Sequence, residues 1–156
     1  MKKVNLSDIP FQARKSPKGR FQFAFQNISN ALAGVQGSGT GVPGQPFDLE
    51  LMVMPPSATN YPYHSHSAQW EMYIVLSGSG QARTPDGVTD IREGDVFLCP
   101  PNEPHQIVNT GDRDLKYYVI ADNPVSDICY YPDSDKWALP DKIVKVTEAD
   151  YYDGEE

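Results

Sequence analysis

One segment near the middle of the chain, HSHSAQWE at residues 64–71, carries the most chemical information in the sequence. Side chains two positions apart on a β-strand point to the same face, so His64 and His66 direct two imidazoles towards one point. Glu71 follows five residues later, after a short irregular step that lets its carboxylate return to that point. Two imidazoles and a carboxylate suit a divalent transition metal, so this segment predicts part of a metal site.

The third and last histidine of the chain, His105, follows a proline-rich turn and starts another predicted strand. If that strand joins the same face, the ligand set becomes three histidines and Glu71, and an octahedral shell keeps up to two positions open. The alternative interpretation is that these are surface or hydrogen-bonded histidines, since an HxH pair recurs by chance. The metal arrangement uses all three histidines and leaves no imidazole for another catalytic role.

The residues around the HxH pair resemble the first conserved motif of the cupin superfamily, G(X)5HXH(X)3,4E(X)6G. His64, His66, Glu71 and Gly78 match the central and right-hand parts of this motif in register. The opening glycine of the motif is replaced by Ala58. The match is therefore complete at the ligand positions and incomplete only at the start.

The region that ends at Asn109 resembles the second cupin motif, G(X)5PXG(X)2H(X)3N. Gly94, Pro100, His105 and Asn109 match it in register, and only the inner glycine is changed, to Asn102. Asparagine tolerates left-handed backbone better than most residues after glycine, so the turn at this point can form. The segment 128–136 is also similar to the end of a group of small single-domain bacterial cupins, most of them without an assigned function.

This resemblance implies an all-β fold, a double-stranded β-helix or jelly-roll cupin barrel with N-terminal extension strands and little helix. It places one divalent transition metal (Fe, Mn, Ni, Co or Zn) inside the barrel near one open end. The ligands that the resemblance carries over are His64, His66, Glu71 and His105. We expect an N-terminal extension over residues 1–46, a barrel core over 47–131, and a C-terminal segment with an acidic tail over 132–156.

The distribution of turn residues agrees with an all-β fold. The chain has 12 glycines and 14 prolines, which divide it into short alternating runs typical of a sandwich or barrel. Strands are predicted over these ranges: 21–25, 47–54, 71–76, 81–84, 88–91, 96–99, 105–109, 115–121, 128–131 and 143–146. Residues 31–46 are expected to form a glycine-rich loop, and helix is limited to a turn near Ala31 or Asp133.

Five further side chains are candidates for the pocket or for support of the ligands, and each has an ordinary alternative. Tyr73 supplies a pocket hydroxyl or fills the core, and Arg83 binds an anionic substrate or lies on the surface. Asn109 ties strand ends together or contacts substrate. Trp70 and Tyr63 line the pocket mouth or contact a second subunit.

The metal site supports two hypotheses about function. The first is a small metal-dependent enzyme, of dioxygenase, decarboxylase or isomerase type, that acts on a small polar organic acid or sugar-like molecule. The second is a non-catalytic small-molecule-binding cupin whose metal is structural or anchors the ligand. No catalytic residue is assigned, although Tyr73, Glu103 or a metal-bound hydroxide would have to act as the base.

Composition limits the partners. The net charge of −8 argues against nucleic acid and anionic membranes, and no run approaches the roughly 18 apolar residues of a membrane span. No secretory signal is visible, so a cytoplasmic protein with free, buried Cys99 and Cys129 is expected, and a disulfide or a reactive thiol is the alternative. The alternating residues Phe21, Phe23 and Phe25 lie outside the motif core, so we expect them to pack across a homodimer.

Overall fold

A computed structural model describes residues 1–34 and 45–155 of the chain. Most of the expected glycine-rich loop, residues 35–44, lies outside this described part. The described residues form one α-helix, α1 (Ile28–Ala33), two short 3₁₀ helices at Leu6–Asp8 and Pro132–Ser134, and thirteen strands. The strands are β1 (Gln12–Lys15), β2 (Gln22–Asn27), β3 (Phe47–Met54), β4 (Ser65–His66), β5 (Glu71–Ser77), β6 (Ser79–Thr84), β7 (Gly87–Arg92), β8 (Val96–Cys99), β9 (Gln106–Val108), β10 (Leu115–Asp122), β11 (Cys129–Tyr131), β12 (Lys136–Ala138) and β13 (Ile143–Val144).

The strands form two layers around one core. A six-stranded sheet has the order β1-β2-β3-β10-β5-β8. Opposite it lie a three-stranded sheet, β7-β6-β9, and a four-stranded sheet, β13-β12-β11-β4. These two smaller sheets are joined at an antiparallel bridge between His64 and His105. The fold is a double-stranded β-helix, and the all-β prediction with little helix is confirmed.

The core lies between the layers and is filled by alternate residues of the strands. Met52, Tyr73, Val75 and Tyr117 contribute from the six-stranded sheet, and Ile107 contributes from the facing one. The predicted strand at 47–54 is confirmed as β3, but the face that carries Met52 and Met54 is the buried one. That face also carries Asp48 and Glu50, so two acidic side chains point to the interior side of the strand.

The outer face of the six-stranded sheet is apolar across four adjacent strands. The registers place the following side chains together on this outer face: Leu49, Leu51, Val53, Met72, Ile74, Leu76, Val96, Leu98, Tyr118 and Ile120. Leu76, Val96 and Leu98 are exposed, and the others are half-buried. Contiguous exposed apolar patches of this kind mark interaction surfaces.

The N-terminal phenylalanines do not need a second subunit. Phe23 and Phe25, on β2, are buried inside the core of their own chain, and Phe21 is half-buried. The argument that these three side chains need a second subunit to pack against was therefore wrong. Strand β2 pairs with β3, so the extension belongs to the sheet and supplies its own apolar partners.

Two turns of the cupin-like motifs depend on backbone conformation. Asn102 has φ 65° and its amide donates to the carbonyl of His66 over 2.7 Å, so asparagine adopts the left-handed turn that glycine forms in the motif. Gly78 has φ 84°, and a Cβ there would meet the carbonyl oxygen of Asp114 at 2.5 Å. Both turns hold the strands that carry the histidines and Glu71 in register.

In the part of the chain described, no helix is long and apolar enough to span a membrane.

Candidate metal centre

Three adjacent strand ends bring the histidines together. His64 lies immediately before β4 and His66 is the last residue of that strand. His105 lies immediately before β9, and Glu71 is the first residue of β5. His64 and His105 exchange backbone hydrogen bonds of 3.2 and 2.8 Å. The imidazole ring of His64 is 5.1 Å from that of His66 and 4.8 Å from that of His105, measured between ring centroids. We call these four residues the His–Glu cluster.

The side chains of the His–Glu cluster converge on the Glu71 carboxylate. His105 Nε2 lies 2.7 Å from Glu71 Oε2, and His66 Nε2 lies 3.8 Å from Glu71 Oε1. One ligating atom from each of His64, His66 and Glu71 lies within 4.8 Å of the others. His105 stands beside this group of three and contacts it through Glu71. The arrangement brings together all four residues that the sequence singled out.

Each imidazole is held by its Nδ1 atom, which leaves Nε2 directed to the cluster. His64 Nδ1 lies 2.8 Å from the carbonyl oxygen of Pro62, and His105 Nδ1 lies 3.2 Å from that of Glu103. A carbonyl oxygen can only accept, so Nδ1 is the donor in both rings. The neutral ring of His64 carries its lone pair on Nε2, whereas Nε2 of His105 also carries a hydrogen, which it donates to Glu71. His66 Nδ1 lies 2.6 Å from a carboxylate oxygen of Asp127. Such partners are typical of metal-ligating histidines.

Burial and mutual contact set the charges of the cluster. Burial lowers the pKa of His64 to about 4, so its ring is neutral at pH 7. Burial alone would raise the pKa of Glu71, but the hydrogen bond and positive charge of His105 lower it below the usual range. A neutral imidazole and an ionised carboxylate are the forms that ligate metals. The donor set therefore fits a divalent transition metal.

Tyr73 combines both of the roles considered for it. Its ring is buried and stacks on Phe97 with centroids 4.8 Å apart, so it fills the core. Its hydroxyl donates to Glu71 Oε2 over 2.8 Å. This hydrogen bond fixes one oxygen of the carboxylate and leaves the other, Oε1, towards His66.

The cluster opens into a cavity of about 210 Å³, which we call the inner cavity. Most of its lining is polar or aromatic. The lining residues are Arg14, Glu50, Met52, Asn60, Tyr61, His64, His66, Gln69, Glu71, Tyr73, Tyr117, Val119, Cys129 and Tyr131.

Glu50 and Arg14 are cavity residues that the sequence did not reveal. Glu50 lies on the inner face of β3, and its Oε1 accepts from Asn27 Nδ2 over 2.9 Å. Burial raises the pKa of Glu50 to about 7, against the opposing effects of the Arg14 charge and the Asn27 hydrogen bond. The alternation of β3 could have revealed Glu50, had the buried face been known in advance.

Asp127 is the third residue that the sequence did not reveal. One of its oxygens holds His66 Nδ1, and the other accepts from Ser67 Oγ at 3.1 Å and from the Ala68 amide at 2.9 Å. The sulfur of Cys129 also lies 3.5 Å from His66 Nδ1. Asp127 lies in the loop between β10 and β11, far from His66 in sequence, and no local pattern marks it.

The other proposed pocket residues lie away from the inner cavity. Arg83 forms a two-pronged ion pair with Asp133 at 2.7 and 2.8 Å, and its guanidinium stacks on the Tyr63 ring at 3.8 Å. Trp70 is exposed. None of Arg83, Tyr63 and Trp70 lines the inner cavity.

Asn109 has a structural position. Its Nδ2 donates to the carbonyls of Met54 and Arg113 over 2.8 and 2.9 Å, and its Oδ1 accepts from the Gly111 amide over 3.0 Å. The side chain therefore ties the end of β3 to the turn before β10, in agreement with the structural alternative.

Both cysteines are free thiols. Cys99 is buried and lines a second cavity of about 400 Å³, together with Glu103 and His105, rather than the inner cavity. Cys129 is half-buried and lines the inner cavity. His105 lines the second cavity and not the inner cavity, unlike the other three members of the cluster.

Comparison with known proteins agrees with this geometry. The family model described as "Cupin domain" matches residues 50–121. A crystal structure of a sugar phosphate isomerase from a cupin superfamily, from Silicibacter pomeroyi, superposes with a TM-score of 0.73 over 97% of this chain and 94% of that chain, at 20% identity. At this identity the likeness concerns the fold.

Two curated relatives match at the sequence level. The oxalate-binding protein of Thermotoga maritima is 32% identical over 69 residues, which are 44% of this chain and 56% of that protein. The auxin-binding protein T85 of Nicotiana tabacum is 30% identical over 105 residues, 60% of this chain and 54% of that protein. The chain thus spans about half the length of these curated relatives.

Proposed function

The chain belongs to the cupin superfamily, and from that premise we propose that it is a small metal-dependent enzyme acting on a small polar organic acid or sugar-like molecule. One divalent transition metal would be held by His64, His66, Glu71 and His105. The observation that carries this proposal is that three imidazoles surround the half-buried carboxylate of Glu71, which lines the inner cavity. The bound metal would polarise an oxygen atom of the ligand.

The chain's own residues prepare these ligands. Pro62, Glu103 and Asp127 supply the oxygens that hold the three Nδ1 atoms, so each ring directs Nε2 to the cluster. His105 would release its Nε2 proton on binding a metal. Tyr73 fixes the Glu71 carboxylate by donating its hydroxyl hydrogen. This support is what a metal site requires and what an isolated group of hydrogen-bonded histidines does not need.

The inner cavity supports the choice of a small polar ligand. Its volume of about 210 Å³ is equivalent to roughly seven water molecules and is below the size of pockets for drug-sized ligands. Asn60 and Gln69 contribute amides, and Arg14 contributes a positive charge that an acid group can approach. The names of the relatives include oxalate and a sugar phosphate, and both are small oxygen-rich anions.

The alternative is a binding protein without turnover, in which the metal anchors the ligand. The names of two curated relatives, an oxalate-binding and an auxin-binding protein, favour this second candidate. It uses the same metal and the same cavity. The two functions therefore differ only in whether the bound molecule changes.

Metal content and turnover test both candidates. Protein purified without an affinity tag should hold about one transition-metal ion per chain by elemental analysis, and His105→Ala should lose it. Glu103→Ala is the matched control, because His105 contacts only the backbone carbonyl of Glu103. Wild-type protein that folds but takes up no metal would contradict both candidates.

Turnover separates the two candidates. Protein loaded with Fe(II), Mn(II) or Zn(II) is incubated with oxalate, keto acids, sugar phosphates and free sugars, and products are followed by NMR. Conversion of any substrate that disappears in His105→Ala supports the enzyme. Saturable binding of one of these molecules with no product after prolonged incubation supports the binding protein instead.

The predicted homodimer remains a proposal and now has a different basis. The apolar outer face of the six-stranded sheet would be covered by the same face of a second copy, since a two-fold interface is self-complementary. Sedimentation velocity should give a dimer for wild-type protein and a monomer for Leu98→Glu, which places a charge on this exposed face. Val88→Glu, at an exposed position on β7, is the control.

A further inference from the structure

We propose that Glu50 is the proton-transfer group of the inner cavity, exchanging a proton with the ligand held at the His–Glu cluster. This inference rests on the proposed function, since it concerns the same cavity and the same ligand. It also supplies the acid–base residue that neither the sequence nor the metal ligands provide.

The position of Glu50 is fixed by the sheet. Glu50 on β3 is opposite Val119 on β10, and Val119 is opposite Tyr73 on β5. Glu50 therefore lies on the same inner face as the tyrosine that holds Glu71, two strands away. Glu50 lines the same cavity as three members of the cluster, His64, His66 and Glu71, so a ligand in that space lies between Glu50 and these three residues.

A hydrogen bond from Asn27 orients the Glu50 side chain without removing its proton. Asn27, the last residue of β2, donates its Nδ2 hydrogen to Glu50 Oε1 over 2.9 Å. An amide cannot take the proton of a carboxylic acid, so this contact aims the carboxyl group and leaves its proton exchangeable. The same Asn27 caps α1, because its Oδ1 accepts from the Asn30 amide over 2.7 Å. The orienting residue is thus itself anchored.

The charges around Glu50 come from several elements. Arg14 on β1 favours the ionised form, while Asp48 on the same strand and Glu71 on β5 oppose it. The phenol groups of Tyr61 and Tyr117 also lie within its electrostatic reach. With burial as the largest effect, the pKa of Glu50 rises to about 7, so both protonation states are populated near neutral pH. A general acid–base group works best in that condition.

The other lining groups outside the cluster do not meet this requirement. Burial raises the pKa of the phenols of Tyr61, Tyr73 and Tyr117 far from neutrality. Burial likewise raises the pKa of the Cys129 thiol to about 12. As a carboxylate, Glu50 would accept a proton from an O–H or C–H group, the bonding electron pair would stay on the ligand, and the resulting acid would return the proton to the product.

The ionisation of Glu50 can be measured without metal or ligand. Infrared difference spectra between pH 5 and 9 should show one carboxyl group with a midpoint of about 7 in wild-type protein. The signal should be absent in Glu50→Gln, which keeps the shape of the side chain and its contact with Asn27. Glu103→Gln, which alters the other cavity, should retain it. Spectra that are the same in wild type and Glu50→Gln would overturn the proposal.

The coupling of this proton to a ligand is tested with oxalate and Zn(II)-loaded protein. Oxalate places negative charge near Glu50 and should raise its pKa, so binding takes up a proton. Calorimetry in two buffers of different ionisation enthalpy measures that uptake. Above the midpoint, oxalate affinity should fall by up to about tenfold per pH unit in wild type. It should be nearly independent of pH in Glu50→Gln.

The outcomes separate this inference from the function on which it rests. Oxalate that binds with equal proton uptake in wild type and Glu50→Gln would overturn the role of Glu50 and leave the proposed function intact. Failure of oxalate, inorganic phosphate and glycolate to bind at millimolar concentration would contradict the proposed ligand class. In that case the infrared titration still decides whether Glu50 holds a proton near pH 7.

Discussion

Two glutamates, Glu71 on β5 and Glu50 on β3, line the same cavity and are held in opposite ways. Burial acts to raise the pKa of Glu71, but the hydrogen bond of His105 and the electrostatic effects of the three histidines together outweigh it and keep Glu71 ionised. Glu50 has Arg14 and an amide as its favourable partners, and there the effect of burial is larger. One region of the cavity therefore holds fixed negative charge, and the other holds an exchangeable proton.

The difference shows that the balance between burial and partners decides what a carboxyl group in the cavity can do. A carboxylate that faces three imidazoles is suited to ligate a cation. A carboxylic acid that faces an amide is suited to donate and accept a proton. Residue spacing predicts the first region because His64, His66 and Glu71 are close together in the sequence. No such spacing predicts the second region.

Removal of the charge on Glu71 should have the largest effect. Glu71→Gln keeps the shape of the side chain and removes the negative ligand, so we expect metal affinity to fall by more than about 100-fold. Competition with a chromogenic chelator measures this loss. Glu50→Gln is the matched control in the same cavity, and an equal loss in both variants would contradict the division between the two regions.

The stability of the metal-free protein should depend on pH through Glu50. The pKa of Glu50 in the folded protein, about 7, is above the ordinary value of 4.5, so the folded state keeps a proton that the unfolded state releases. The contribution is present below pH 4.5 and is lost as the pH rises towards 7. Between pH 5 and 8, wild type should lose about 2 kcal/mol relative to Glu50→Gln.

Urea unfolding of both proteins at the two pH values measures this difference. Subtraction removes the contribution of every group that the two proteins share, the histidines included. A stability difference between wild type and Glu50→Gln that stays constant with pH would show that Glu50 has an ordinary pKa.

Substitution of Asp127 should lower metal affinity less than substitution of Glu71, because Asp127 would act on the metal only through His66. Asp127→Asn weakens the contact that holds His66 Nδ1, and we expect metal affinity to fall by about tenfold. Asp133→Asn, which alters only the surface pair with Arg83, should leave metal affinity unchanged. If Asp127→Asn binds metal as wild type does, the tautomer of His66 is set by other contacts.

How far the sequence predicts this site depends on how local each feature is. Spacing and motif resemblance suffice to place His64, His66 and Glu71 together, because β4 and β5 are neighbours along the chain. Asp127 reaches His66 only after the chain has formed the six strands β5 to β10, so no local pattern indicates it.

The sequence also could not predict which face of β3 is buried. Both faces of this strand carry apolar residues, and the usual rule would bury Leu49 and Leu51 rather than Glu50. The polar cavity inverts the rule, since it accommodates an acidic side chain on the inner face. The homodimer argument failed for the related reason that the partner of β2 is β3 of the same chain.

Substitution of Arg14 should give the smallest effect, and it tests the difference between Glu50 and Glu71 most specifically. Arg14 lines the inner cavity, and its charge lowers the pKa of Glu50. Arg14→Gln should therefore move the Glu50 infrared midpoint upwards while metal affinity at Glu71 stays the same, because the imidazoles dominate there. Lys15→Gln, one residue along β1, should leave the midpoint unchanged. A midpoint that stays fixed in Arg14→Gln would mean that burial alone sets the proton affinity of this region.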